Sequence, residues 1–101
     1  MASATTLSED QPAAPTELRA VALSKSRIPV EWRDNSVNET DFEIQRSSGG
    51  AFGAVGKANA DAQRFVDSGL RRSTTYTYRV RACNGNVCSP FSGSVSATTP
   101  R

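Results

Sequence analysis

The 101-residue chain contains no histidine, which removes the commonest general base and the commonest zinc ligand from its chemistry. It has one tryptophan, two cysteines and four leucines. Apolar residues make up 37%, but thirteen of them are alanine, so the core must be small and built from few large side chains. The longest apolar run is the four residues Ala20 to Leu23, too short to span a bilayer. The amino terminus has no basic start followed by an apolar stretch, so no secretion signal is legible there. The formal net charge is only +2, without the clustered basic stripe of a nucleic-acid-binding domain, so nucleic acid is not an expected partner.

What is present points to strands. Val and Ile together number ten, and Ser and Thr twenty-two, a composition that suits a solvated sheet surface. The length fits one domain. Residues 1–14, MASATTLSEDQPAA, are small, polar and without periodicity. They are expected to be a disordered linker or residues left from cloning, because they cannot bury enough surface to offset their ordering entropy. The folded domain is expected over 15–101.

From Thr16 the chain divides into seven short runs with period-2 alternation: 16–23, 28–33, 41–47, 51–57, 63–67, 75–84 and 91–99. Turn clusters separate them, notably Asp34 to Thr40 and Ser48-Gly49-Gly50. Ile28, Val30 and Trp32 share one face, as do Tyr76, Tyr78, Val80 and Ala82, with Thr77, Arg79, Arg81 and Cys83 on the other. This spacing predicts an all-β, seven-stranded antiparallel immunoglobulin-like sandwich. Pro29 and Pro90 are expected at strand starts or edges.

Over roughly Pro15 to Thr99 the chain resembles a fibronectin type III domain. The resemblance is carried by Pro15-Thr16-Glu17-Leu18, by Ile28-Pro29-Val30-Glu31-Trp32, by Phe42 and Ile44, by Gly69-Leu70 six residues before Tyr76, by YTYRVRACN and by the closing SATTP. The tract DNSVNETDFEIQRS is similar to versions in bacterial secreted proteins. Trp32 is then the central core residue, with Tyr78 and Val80 beside it. Leu70 and Tyr76 form a tyrosine corner, whose hydroxyl bonds a backbone group just upstream.

Cys83 and Cys88 flank Asn84-Gly85-Asn86-Val87 and can face each other across a hairpin. A disulfide and an oxidising compartment are the preferred reading, and two reduced thiols the alternative. Two cysteines without histidine fall short of a zinc set, and C-x4-C is not a redox motif. Arg79 and Arg81 are expected to pair across strands with Glu43 and Gln45, the alternative being an Arg-rich face for an acidic partner. Asn38-Glu39-Thr40 fits a glycosylation sequon, although turn-forming composition explains it as simply. Asp34, Asp41, Asp61 and Asp67 read as turn and strand-end residues, with no cleft for a carboxylate pair. Trp32, Tyr76, Tyr78, Phe42 and Phe65 are assigned to the core. Only Phe52 and Phe91 remain, too few for a dedicated carbohydrate platform.

The expectation is therefore a module without catalysis, cofactor or metal, monomeric in isolation and secreted or extracellular. It would serve as a spacer or accessory domain of a larger protein, and the resemblance implies a polysaccharide-degrading parent. Its partners would be the neighbouring domains. The alternative is a protein-recognition or adhesion module, natural or engineered. Its protein ligand would bind through the 34–40 and 84–87 loops: Asn35, Ser36, Asn38, Asn84, Gly85 and Asn86.

Overall fold

The computed structural model describes residues 12–35, 39–85 and 87–101. Most of the lead-in expected over 1–14, together with Ser36, Asn38 and Asn86 of the two candidate loops, lies outside the described residues. Every regular element within them is a strand: β1 (Thr16–Ala20), β2 (Ile28–Arg33), β3 (Asp41–Ser47), β4 (Gly53–Asn59), β5 (Arg64–Asp67), β6 (Thr75–Asn84), β7 (Val87–Cys88) and β8 (Val95–Thr98).

The strands form two antiparallel sheets. One has the order β1-β2-β5, and the other β4-β3-β6, with β7 and β8 both pairing β6. Period-2 alternation turns one face of each sheet toward the other. Ile28, Val30 and Trp32 from β2 meet Phe42 and Ile44 from β3 and Tyr76, Tyr78, Val80 and Ala82 from β6, all buried. Trp32 and Phe42 pack with ring centroids 5.3 Å apart, tilted by 51°. Burying a side chain of this kind contributes about 1.5–3 kcal/mol, so a handful of large residues dominates the core.

Four elements differ from the sequence expectation, β5 only by starting at Arg64 rather than Gln63. β1 stops at Ala20, and the expected continuation to Leu23 instead leaves the sheet, with Val21 and Leu23 70% and 63% exposed. β4 starts and ends two residues later than the pattern suggests, because Ser47 organises the preceding turn, its Oγ donating to the Gly50 carbonyl at 2.7 Å. The seventh run, expected over 91–99, shortens to β8 at Val95–Thr98. Before it, side chains complete the pairing with β6: Ser89 Oγ accepts the Ala82 N–H at 3.0 Å, and Ser92 Oγ that of Val80 at 3.0 Å, while the Ser89 and Ser92 N–H groups donate to the Ala82 and Val80 carbonyls. The eighth strand is β7, which forms in the stretch expected as a hairpin loop.

Pro29 sits in the middle strand of its sheet, but one residue before the β1 ladder begins at Ala20↔Val30.

Candidate functional site

Every strand runs between two ends of the sandwich, and the loops collect at those ends. At one end, β3 pairs β6 from Asp41↔Cys83 onward, which brings Thr40 beside Cys83 at the base of the β6–β7 hairpin. The Thr40 N–H donates to the Cys83 carbonyl at 2.7 Å, and the Gly85 N–H reaches Thr40 Oγ1 at 3.4 Å. Asn84 pairs Val87, and Gly85, at φ 62°, supplies a left-handed residue that a tight hairpin favours. Cys83 and Cys88, directly opposite in the β6–β7 register, are joined by a disulfide. The bond ties the base of this loop to β6.

Asn35, read from the sequence as a contact residue, is engaged within the chain. Its amide donates to the Ala14 carbonyl at 3.1 Å and to Thr16 Oγ1 at 2.8 Å, fastening the incoming segment to this end. A further loop, 60–63, not singled out as a candidate in the sequence, is tied to Asp34 and Glu39. The Asp61 N–H donates to Glu39 Oε2 at 3.0 Å, and the Asp34 N–H to Gln63 Oε1 at 3.0 Å. Carboxylate oxygens of Asp34, buried Glu39 and Asp61 thereby lie within 4.8 Å of one another, making this end of the sandwich acidic. Their positions in two separate loops gave no signal of this convergence.

The outer face of the larger sheet carries a polar relay. Arg81 donates through Nε and Nη2 to Glu43 Oε1 at 3.1 and 2.8 Å. Gln45 Nε2 donates to Glu43 Oε2 at 2.7 Å, and Arg79 donates through Nε and Nη2 to Gln45 Oε1 at 2.9 and 2.8 Å. These are the cross-strand pairs the register imposes, Glu43↔Arg81 and Gln45↔Arg79. Burial raises the Glu43 carboxyl, but the hydrogen bonds from Arg81 and Gln45 and the charges of Arg81 and Lys57 outweigh it and hold its pKa below the ordinary value. Phe52 and Phe91 pack on this outer face. The Arg79 guanidinium lies 4.2 Å from one ring centroid and 4.0 Å from the other, with Arg81 4.6 Å from Phe91. Both phenylalanines stood in expected runs, 51–57 and 91–99, but neither lies in the strand that forms there, so the pattern did not point to this stack.

At the opposite end, Tyr76 makes the corner expected of it: its hydroxyl accepts the Arg71 N–H at 3.0 Å beside buried Leu70. Asp67 ends β5, as its turn-like context suggests, yet it is buried. It accepts the Tyr78 hydroxyl at 2.7 Å and Arg46 Nη1 at 2.9 Å. Burial, then the hydrogen bond and charge of Asp67, push the Tyr78 phenol far above its ordinary range. Burial lowers the Arg46 guanidinium, but the Asp67 hydrogen bond and charge raise it further than burial depresses it.

The family model of the fibronectin type III domain matches residues 13–98. The chain belongs to this family. Fibronectin type III is a non-catalytic domain type. The domain is similar to part of an alpha-amylase of Niallia circulans, 34% identical over 95 residues that are 90% of this chain and 7% of that protein. It is also similar to part of exoglucanase B of Cellulomonas fimi, 31% identical over 99 residues, 94% of this chain and 8% of that one. The domain thus spans less than a tenth of the length of these curated relatives. Among solved structures, a Fn3-like protein from Clostridium thermocellum superimposes with a TM-score of 0.72 at 26% identity, covering 89% of this chain and 95% of that one. The fn3 domain of human contactin 1 gives 0.77 at 26% identity over 86% of this chain and 76% of its own.

Proposed function

We propose that this domain is a non-catalytic accessory spacer within a larger polysaccharide-degrading protein that works outside the cytoplasm. The observation that carries the reading is the match to an alpha-amylase and an exoglucanase over nearly all of this chain and under a tenth of theirs. The Cys83–Cys88 bond supports an oxidising compartment. In this role the domain sets distance and orientation, and the two sheets make it a stiff element that resists proteolysis. The test is a parent enzyme in which the domain is replaced by a Gly/Ser linker of equal residue count. Turnover of a short soluble oligosaccharide is expected to stay unchanged, while degradation of an insoluble polysaccharide or resistance to protease falls. Loss of turnover on the soluble substrate, or hydrolysis by the isolated domain, overturns the reading.

The second reading is protein recognition or adhesion at the 34–40 and 84–87 loops, favoured by their backbone tie at Thr40–Cys83 and by the disulfide beneath Gly85. Exchanging both loops for Gly/Ser abolishes capture of a protein ligand if this holds. Undiminished capture by the exchanged form removes it.

A further inference from the structure

The chain holds five asparagines, followed in turn by Ser36, Glu39, Ala60, Gly85 and Val87, so Asn84 alone precedes a glycine. That order has a chemical consequence. The backbone nitrogen after an asparagine can attack the side-chain carbonyl carbon of that asparagine, and glycine, with no Cβ, obstructs the approach least. The fold leaves this pair open. Asn84 closes β6 opposite Val87 and is half-buried, while Gly85 follows it in the turn and is exposed. A Cβ built on Gly85 would meet nothing within 4 Å. The Gly85 N–H has one long contact, 3.4 Å to Thr40 Oγ1, and no hydrogen bond holds the Asn84 side-chain amide among the described residues. β7 is two residues long and pairs β6, so lifting Asn84 from Val87 breaks the terminal rung of a hairpin. Such fraying costs little, and the Cys83–Cys88 bond beneath that rung confines it to the tip.

We propose that Asn84 is a site of spontaneous deamidation, and that the reaction runs in the folded, disulfide-closed domain. The backbone nitrogen of Gly85 gives its proton to hydroxide and attacks Asn84 Cγ. The bond from Cγ to the side-chain nitrogen breaks, and that nitrogen takes a proton from water and leaves as ammonia, closing a succinimide ring. Water then adds to one of the two ring carbonyls and opens the ring. One opening gives aspartate; the other routes the backbone through the side chain and gives isoaspartate. The net change is one water consumed and one ammonia released, with no oxidation or reduction. Each conversion adds a carboxylate at the hairpin tip and removes one unit from the formal net charge of +2. The isoaspartate form also inserts a methylene into the backbone at the end of β6, while the disulfide keeps β7 attached. The site rests on neither functional reading and fails independently of both.

The experiment incubates the full oxidised chain at mildly alkaline pH and follows it by peptide mapping that separates asparagine, aspartate and isoaspartate. A second sample, reduced, alkylated and unfolded in urea at the same pH, gives the intrinsic rate. Asn84 is expected to convert before the other asparagines, with isoaspartate among its products. Its rate in the folded chain should lie within about tenfold of the unfolded rate, because only the hairpin tip has to open. Gly85→Ala, measured in the unfolded sample so that strain at this left-handed position plays no part, should slow the reaction about tenfold. Folded conversion slower than about a tenth of the unfolded rate, another asparagine reacting first, or an undiminished rate in Gly85→Ala overturns the proposal.

Discussion

Phe65 of β5 lays its ring against the backbone of Gly56 in β4, across the seam where the two sheets face each other. A Cβ built on Gly56 would stand 2.5 Å from Cζ and 2.6 Å from Cε1 of that ring. The contact explains a glycine inside a strand, where glycine is otherwise unfavourable: it admits a neighbour's side chain. Gly56→Ala is expected to lower stability by about 1–3 kcal/mol through overpacking. Gly53→Ala, with nothing within 4 Å of the new Cβ, is expected to be near neutral. Denaturant titration of the pair tests this, and equal effects would mean the ring moves aside freely.

Trp32 is 4% exposed between the sheets. Trp32→Ala is expected to cost about 3–5 kcal/mol, enough to unfold a domain with so few large core residues. Its indole Nε1 has no hydrogen-bond partner among the described residues, so Trp32→Phe forfeits volume but no hydrogen bond and should be the milder change. Thermal unfolding of both variants measures the difference.

Removing the Tyr78 hydroxyl leaves Asp67 with Arg46 as its remaining side-chain donor. Tyr78→Phe is expected to cost about 1–3 kcal/mol, more than the mean hydrogen bond, because the abandoned carboxylate is buried. The raised phenol also makes stability pH-dependent. Its contribution is complete below the ordinary value of 10.0 and is lost as pH rises toward the higher folded value. Unfolding midpoints at pH 9 to about 11 should therefore fall less steeply in Tyr78→Phe than in wild type.

Glu43 acts in the opposite pH direction. Its pKa is lower folded than unfolded, so its contribution is complete above the ordinary value of 4.5 and disappears as pH falls through the lower folded value. Glu43→Gln is expected to flatten the acid limb of the stability profile while weakening the domain at neutral pH. Denaturant midpoints across the acid range check it, and an unchanged slope would mean the Arg81 pair is no stronger folded than unfolded.

Reducing the Cys83–Cys88 bond opens a short loop and is expected to cost about 2 kcal/mol, or about 10 °C in Tm. Hydrogen exchange should show early opening of β7 while β6 stays protected by β3 and β8. Uniform loss of protection would make the bond a support of the whole sandwich.

Alternation alone placed β2, β3 and β6 to the residue and named the core, because period-2 burial is written locally: each inward residue is apolar and each neighbour polar. The tyrosine corner was legible through the resemblance to the fibronectin type III pattern, which placed Leu70 and Tyr76. Three features depended on residues far apart in the chain, and so only the tertiary structure decided them. Asp67 looks like an ordinary strand-end acid until Tyr78 and Arg46 arrive from the other sheet to make it a buried acceptor. Phe52 and Phe91 stand in expected runs but outside the strands that form, and acquire a role only where folding sets Arg79 between them. The convergence of Asp34, Glu39 and Asp61 was invisible in the sequence, because strand connectivity alone brings Asp61 to the other two. The missing histidine and the scarcity of large side chains were legible at the outset; where the charged residues stand was decided only by the packing of the two sheets, which brings together residues distant in the chain.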